Sequence, residues 1–134
     1  MSRKSAREDA YKLVFEYIST KDAETPTKDY IFKDPNMTQI DADYITSVYS
    51  GVQEHFDEII EIISRNADNF KIERIFKPDL AALVLAVYEM KYIDDIPLNV
   101  SISEAVELVK SYSTDKSYKF VNGVLAGVYK ELEK

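Results

Sequence analysis

The chain has no cysteine and no tryptophan, one histidine, three glycines and four prolines in 134 residues. Without cysteine it has no disulfide, no thiolate metal site and no cysteine nucleophile. With His55 alone, a zinc site of imidazole and thiolate has no ligand set to draw on. Few glycines and prolines leave little punctuation for a β-rich fold, and the long periodic segments favour an all-α one. Long apolar runs are also missing. The most apolar stretch, Leu80–Tyr88, is far shorter than the roughly 20 residues that span a bilayer, and it predicts a helix buried on most sides. No apolar signal core follows Ser2-Arg3-Lys4-Ser5-Ala6-Arg7, which fits a cytoplasmic protein. There is no P-loop, dinucleotide fingerprint or nucleophile elbow.

Positive charge is scarce overall. Seventeen Lys and Arg face 24 Asp and Glu, for a net charge of −7. As a sum, this argues against a nucleic-acid binder. The distribution says more. Residues 1–20 and 110–134 are each locally basic, and the acidity sits in residues 21–109. A protein polarised in this way can bind phosphate at one face and a basic partner at another.

The apolar spacing predicts a first helix over Arg3–Thr20, with Ala6, Ala10, Leu13, Val14 and Tyr17 on its repeat. Residues 21–38 are loop-like, with room for one short helix over Lys28–Lys33. A long helix is predicted from Ile40 to Asn66, along Ile45, Val48, Val52, Phe56, Ile59, Ile60 and Ile63. The pattern breaks near Ala67–Lys71, which predicts a division into an N-terminal helical subdomain, 1–68, and a C-terminal one, 69–134. Ile72–Phe76 reads as one extra turn. Pro78 suits the first turn of a helix reaching Tyr92. After the connector Asp94-Asp95-Ile96-Pro97, Ser101 and Glu104 form a capping-box signature for a helix ending near Tyr112. The last helix is predicted over Asp115–Glu133.

That last helix has two different faces. At about 100° per residue, Val121, Val124, Leu125, Val128 and Leu132 share one stripe. Lys116, Lys119, Phe120, Gly123 and Gly127 lie roughly opposite. Gly costs about 1 kcal/mol against Ala in a helix, so two glycines on one face suggest close packing against the backbone. Lysines beside a ring suit nucleic acid. A core-edge Phe120 with solvated lysines fits the same spacing. On the first helix, Arg3, Lys4 and Arg7 interleave with Tyr11 and Phe15, a pattern suited to single-stranded RNA. Core packing of the rings with solvated charges is the plainer alternative. Asp79 lies where a helix dipole favours a carboxylate, and where it could accept from base amino groups. His55 with nearby carboxylates leaves a small hydrolase as a third reading, without a motif to support it.

These segments together resemble the NusB family of bacterial transcription antitermination factors. The resemblance is carried by Ser5-Ala6-Arg7-Glu8, by Asp79-Leu80-Ala81 with Leu85-Ala86-Val87-Tyr88-Glu89-Met90, and by Asp95-Ile96-Pro97. It continues through Ser103-Glu104-Ala105-Val106-Glu107-Leu108 and Ser117 with Lys119-Phe120-Val121-Asn122-Gly123-Val124-Leu125. It covers essentially the whole chain, apart from 21–38. It implies about seven helices in two small bundles and a non-enzymatic role without cofactor or metal. It also implies binding of boxA-type single-stranded RNA together with the ribosomal protein NusE, in a complex with other Nus factors and RNA polymerase that promotes ribosomal RNA synthesis. RNA contacts are expected at Arg3, Lys4, Arg7, Phe15, Asp79, Lys119 and Phe120, and NusE contacts at Asp115, Lys116 and Ser117 and in the acidic middle. A related domain fused to an RNA methyltransferase is the less expected form here, since no cofactor domain follows Lys134. Monomer and homodimer both remain open. A purely protein-binding adaptor is the alternative function.

Overall fold

The structure, a computed structural model, describes residues 3–67 and 71–133, and of Arg3 and Lys4 it describes the backbone alone. The described residues form seven α-helices: α1 (Arg3–Thr20), α2 (Pro26–Phe32), α3 (Gln39–Glu54), α4 (Phe56–Asn66), α5 (Lys77–Tyr92), α6 (Leu98–Tyr112) and α7 (Ser117–Glu133). A single 3₁₀ turn (Ile72–Arg74) precedes α5, and no strand occurs among the described residues. None of the described helices is long and apolar enough to cross a membrane.

The centre is α5. Every residue from Asp79 to Met90 is buried, and the helix packs against α1, α3, α4, α6 and α7. Apolar all round, it has no solvent face to spare, as expected of a helix enclosed by others. Small residues set how closely its neighbours approach. The Tyr88 ring lies directly on the backbone of Gly51 in α3, where a Cβ would collide with it. The predicted boundary at 68/69 lies outside the described residues. One continuous apolar cluster draws on α1, α3 and α4 as well as α5, α6 and α7.

Two expectations are corrected. The predicted helix Ile40–Asn66 is two helices, broken at His55 (φ −109°, ψ 18°). There the imidazole stacks on Tyr92, ring centres 4.2 Å apart. Phe56 turns its face edge-on to Tyr17 at 5.5 Å, with Lys21 Nζ 4.2 Å from its centre. The buried seam resumes across the break from Val52 to Ile59, a step of two helical turns, so spacing alone reads straight through it. The capping box is also absent. α6 begins at Leu98 after Pro97, and Ser101 sits one turn inside it, buried. Its hydroxyl donates to Glu89 at 2.9 Å, and Glu104 faces Arg7.

In α7 the core stripe is as predicted, with Val121, Val124, Leu125 and Val128 buried. The other side divides. A Cβ on Gly127 would lie 2.5 Å from Asn66 Oδ1, whereas one on Gly123 would meet nothing within 4 Å. Asn66 is held there by donating to Ile62 O (2.9 Å) and to Glu131 (3.1 Å). Close packing against the backbone therefore accounts for Gly127 and not for Gly123.

Candidate nucleic-acid interface

The predicted site residues come from three elements: α1, the start of α5, and the α6–α7 turn with the start of α7. Glu89 fixes how α1 meets the rest. It is 1% exposed. Arg7 Nε donates to it at 3.0 Å, Ser101 Oγ at 2.9 Å, and the Tyr44 hydroxyl also donates to it. One carboxylate of α5 thus ties down α1, α3 and α6. A buried charge persists only when paired and hydrogen-bonded in this way. Burial works to lower the Arg7 pKa, but the adjacent Glu89 charge prevails and the net shift is upward.

This corrects the expectation for Arg7. Its side chain is 6% exposed and committed to Glu89, with Glu104 at 3.8 Å, so it is not presented to phosphate. Spacing places Arg3 and Arg7 on one face but does not show that the face turns inward at Arg7. The side chains of Arg3 and Lys4 lie outside the described residues.

The start of α5 anchors the α6–α7 turn. Asp79, also 6% exposed, accepts from Ser113 Oγ at 2.6 Å. Ser113 Oγ and Thr114 Oγ1 lie 3.0 and 2.9 Å from Ser117 Oγ. Ser117 is buried, so its side chain locks the turn and does not face outward. Asp115 and Lys116, at the turn's tip, are exposed. Asp79 thereby holds the start of α7 in place through Ser113.

Beside this turn, a groove of about 430 Å³ runs between α1 and the end of α6, with Tyr11, Phe15, Pro78 and Tyr112 among its walls. Tyr11 and Tyr112 lie 5.3 Å apart, centre to centre. The Tyr11 hydroxyl donates to Pro78 O at 2.9 Å. Burial, with the Asp79 charge adding, pushes the Tyr11 phenol far up, so it stays a neutral donor. Phe15 and Phe120 are half-buried, packed against the core, while Lys119 is fully on the surface. Sequence reasoning missed Ser113 and Tyr112. Tyr112 follows Leu108 by four residues, so it continues the core stripe of α6, and nothing in the spacing shows that it ends the stripe exposed.

His55 stands apart from these elements. It is stacked on Tyr92 with Glu54 at 3.8 Å. No group of three or more His, Asp or Glu among the described residues is arranged to hold a metal ion.

Comparison with known proteins agrees with the fold and extends over the chain. The family model described as NusB family matches residues 4–130. Transcription antitermination protein NusB of Bacillus subtilis (strain 168) is 40% identical, with 100% of this chain and 99% of that one covered. The structure of T. maritima NusB superposes with a TM-score of 0.87 at 29% identity, over 98% of this chain and 92% of that one. A chain from the crystal structure of the antitermination factors NusB and NusE in complex with dsRNA matches with a TM-score of 0.83 at 27% identity, over 96% of each. The motifs, the helical architecture and these full-length similarities lead to one conclusion: the chain belongs to the NusB family.

Proposed function

We propose that the chain is a cytoplasmic transcription antitermination factor that binds boxA-type RNA together with NusE and promotes ribosomal RNA transcription. The carrying observation is family membership over essentially the whole chain, supported by the fold it shares with a chain solved with NusE and RNA. The RNA face combines the start of α1, with Arg3 and Lys4, and the start of α7, with Lys119 and Phe120. Lysine and arginine contacts to phosphate give salt-dependent affinity, and rings supply stacking. Asp79 positions α7 through Ser113, and Phe15 lines the adjacent groove. The exposed tip Asp115–Lys116 and the acidic middle receive the basic partner, whose encounter is steered by charge. The assembled pair then joins other Nus factors on RNA polymerase.

A binding titration of boxA-type RNA with and without NusE tests this. The expected result is tighter, sequence-dependent binding in the presence of NusE. Affinity indifferent to both NusE and RNA sequence would defeat the proposal. The burial of Arg7 favours one rival, an adaptor that touches NusE alone. That rival requires Lys119→Ala to leave RNA retention by the pair unchanged.

A further inference from the structure

We infer that the groove between α1 and the end of α6 is a pocket for one unstacked RNA base, with Tyr112 as its stacking platform. This deepens the RNA-binding reading above and rests on it. The groove is in the size range of small-ligand clefts, and its walls are mainly apolar. Three rings, Tyr11, Phe15 and Tyr112, and the Pro78 ring form those walls. Tyr112 is 40% exposed although it pairs with Tyr11, so part of its surface is left uncovered. An exposed aromatic surface beside a cation is the arrangement that holds single-stranded nucleic acid without reading its sequence. The cation is Lys12, exposed, with Nζ 5.9 Å from the Tyr112 ring centre. It stands at the rim, placed to meet the phosphate of a base seated inside. Glu16 lines the rim as well, and its carboxylate accepts from Thr25 and Thr27, which directs it toward α2.

Two features favour a base over an apolar side chain of the partner protein. The groove offers planar surfaces and one cation, the two elements that recognise a nucleotide. It also adjoins the Asp79–Ser113 turn, so it is continuous with the start of α7, where Lys119 and Phe120 are proposed to meet RNA.

The test titrates boxA-type RNA, carrying 2-aminopurine at successive positions, against the full chain with NusE. Wild type is compared with Tyr112→Ala, Tyr112→Leu and Tyr112→Phe, with NusE affinity and thermal melting measured in parallel. Loss of one stacked base should weaken RNA binding roughly 5- to 100-fold in the Ala and Leu variants. Phe should retain binding, NusE affinity should hold, and one 2-aminopurine position should lose its quenching in the Ala variant. The Leu variant keeps apolar cover at the helix end, so its loss of RNA affinity without a lower melting temperature separates stacking from folding. RNA affinity unchanged in both Ala and Leu variants overturns the inference and leaves the function standing. A fall in NusE affinity with RNA contacts intact assigns the groove to the protein partner and also overturns it. No RNA binding by the wild-type pair overturns both.

Discussion

Glu89 and Arg7 illustrate how far a single residue's role depends on what surrounds it. A glutamate in an apolar helix and an arginine in a basic N-terminus look unrelated in sequence, and the fold makes them one buried pair. Removing one member of such a pair strands the other charge, at about 3–5 kcal/mol. Glu89→Ala should therefore lower the urea midpoint sharply, and Arg7→Met with Glu89→Leu should recover much of the loss. If the double variant were no more stable than Glu89→Ala, the stranded-charge account would fail. Asp9 presents the reverse case. Burial, with Asp34, Glu8 and Asp41 near, raises its carboxyl above the ordinary value, and Lys12 offsets only part of this. A raised folded-state value means that protonation favours the fold. That contribution is complete below the unfolded-state value and fades as pH rises through the folded one. At neutral pH the ionised Asp9 works against folding, so Asp9→Asn should raise the melting temperature at pH 7. The gain should shrink below about pH 4, as melting curves across pH will show.

Helices in this fold are spaced by what their small residues permit. Gly51 lets the Tyr88 ring press onto α3, so Gly51→Ala should destabilise by about 1–3 kcal/mol through overpacking. Gly123 faces open space, and Gly123→Ala should stabilise by about 0.5–1 kcal/mol through helix propensity. Chemical denaturation of the two variants should give shifts of opposite sign. The same contrast shows what sequence could and could not reveal at this scale. The stripes of α1, α5 and α7 are legible because each buries one continuous pattern. The break at His55 is hidden because the apolar seam crosses it in phase, and the ring contacts that turn the chain, Tyr92 on His55 and Tyr17 on Phe56, come from distant segments. Ser101 and Glu104 fit a capping box in one dimension, yet their partners Glu89 and Arg7 belong to other helices.

Across the whole molecule, a net charge of −7 repels RNA unless the contacts concentrate where the ends are basic. Each phosphate neutralised on a single strand contributes about 0.7 to the slope of log affinity against log salt. Lys119→Ala should therefore flatten that slope by about 0.7 and weaken binding evenly across RNA sequences, whereas Arg7→Lys should change stability more than slope. A salt series on the pair with NusE distinguishes the two. The outline of the site was legible in the motifs near both ends of the chain. Its depth was not, because spacing shows which residues share a face and not which way that face turns. Lys119 lies outside, Arg7 and Ser117 lie inside, and Phe15 and Phe120 straddle the boundary.

The carboxylate of Glu89 also bears on the order of events in folding. Its partners lie 82, 45 and 12 residues away along the chain. The charge cannot leave water at a tolerable cost until α1, α3 and α6 have all arrived around α5. An interaction that requires so many chain closures forms late, on the native side of the barrier. Contacts of this kind act on the rate of escape from the folded state more than on the rate of reaching it. The hub therefore serves as a latch: it adds little to the speed of assembly and prolongs the lifetime of the assembled bundle, so that both halves of the molecule open together.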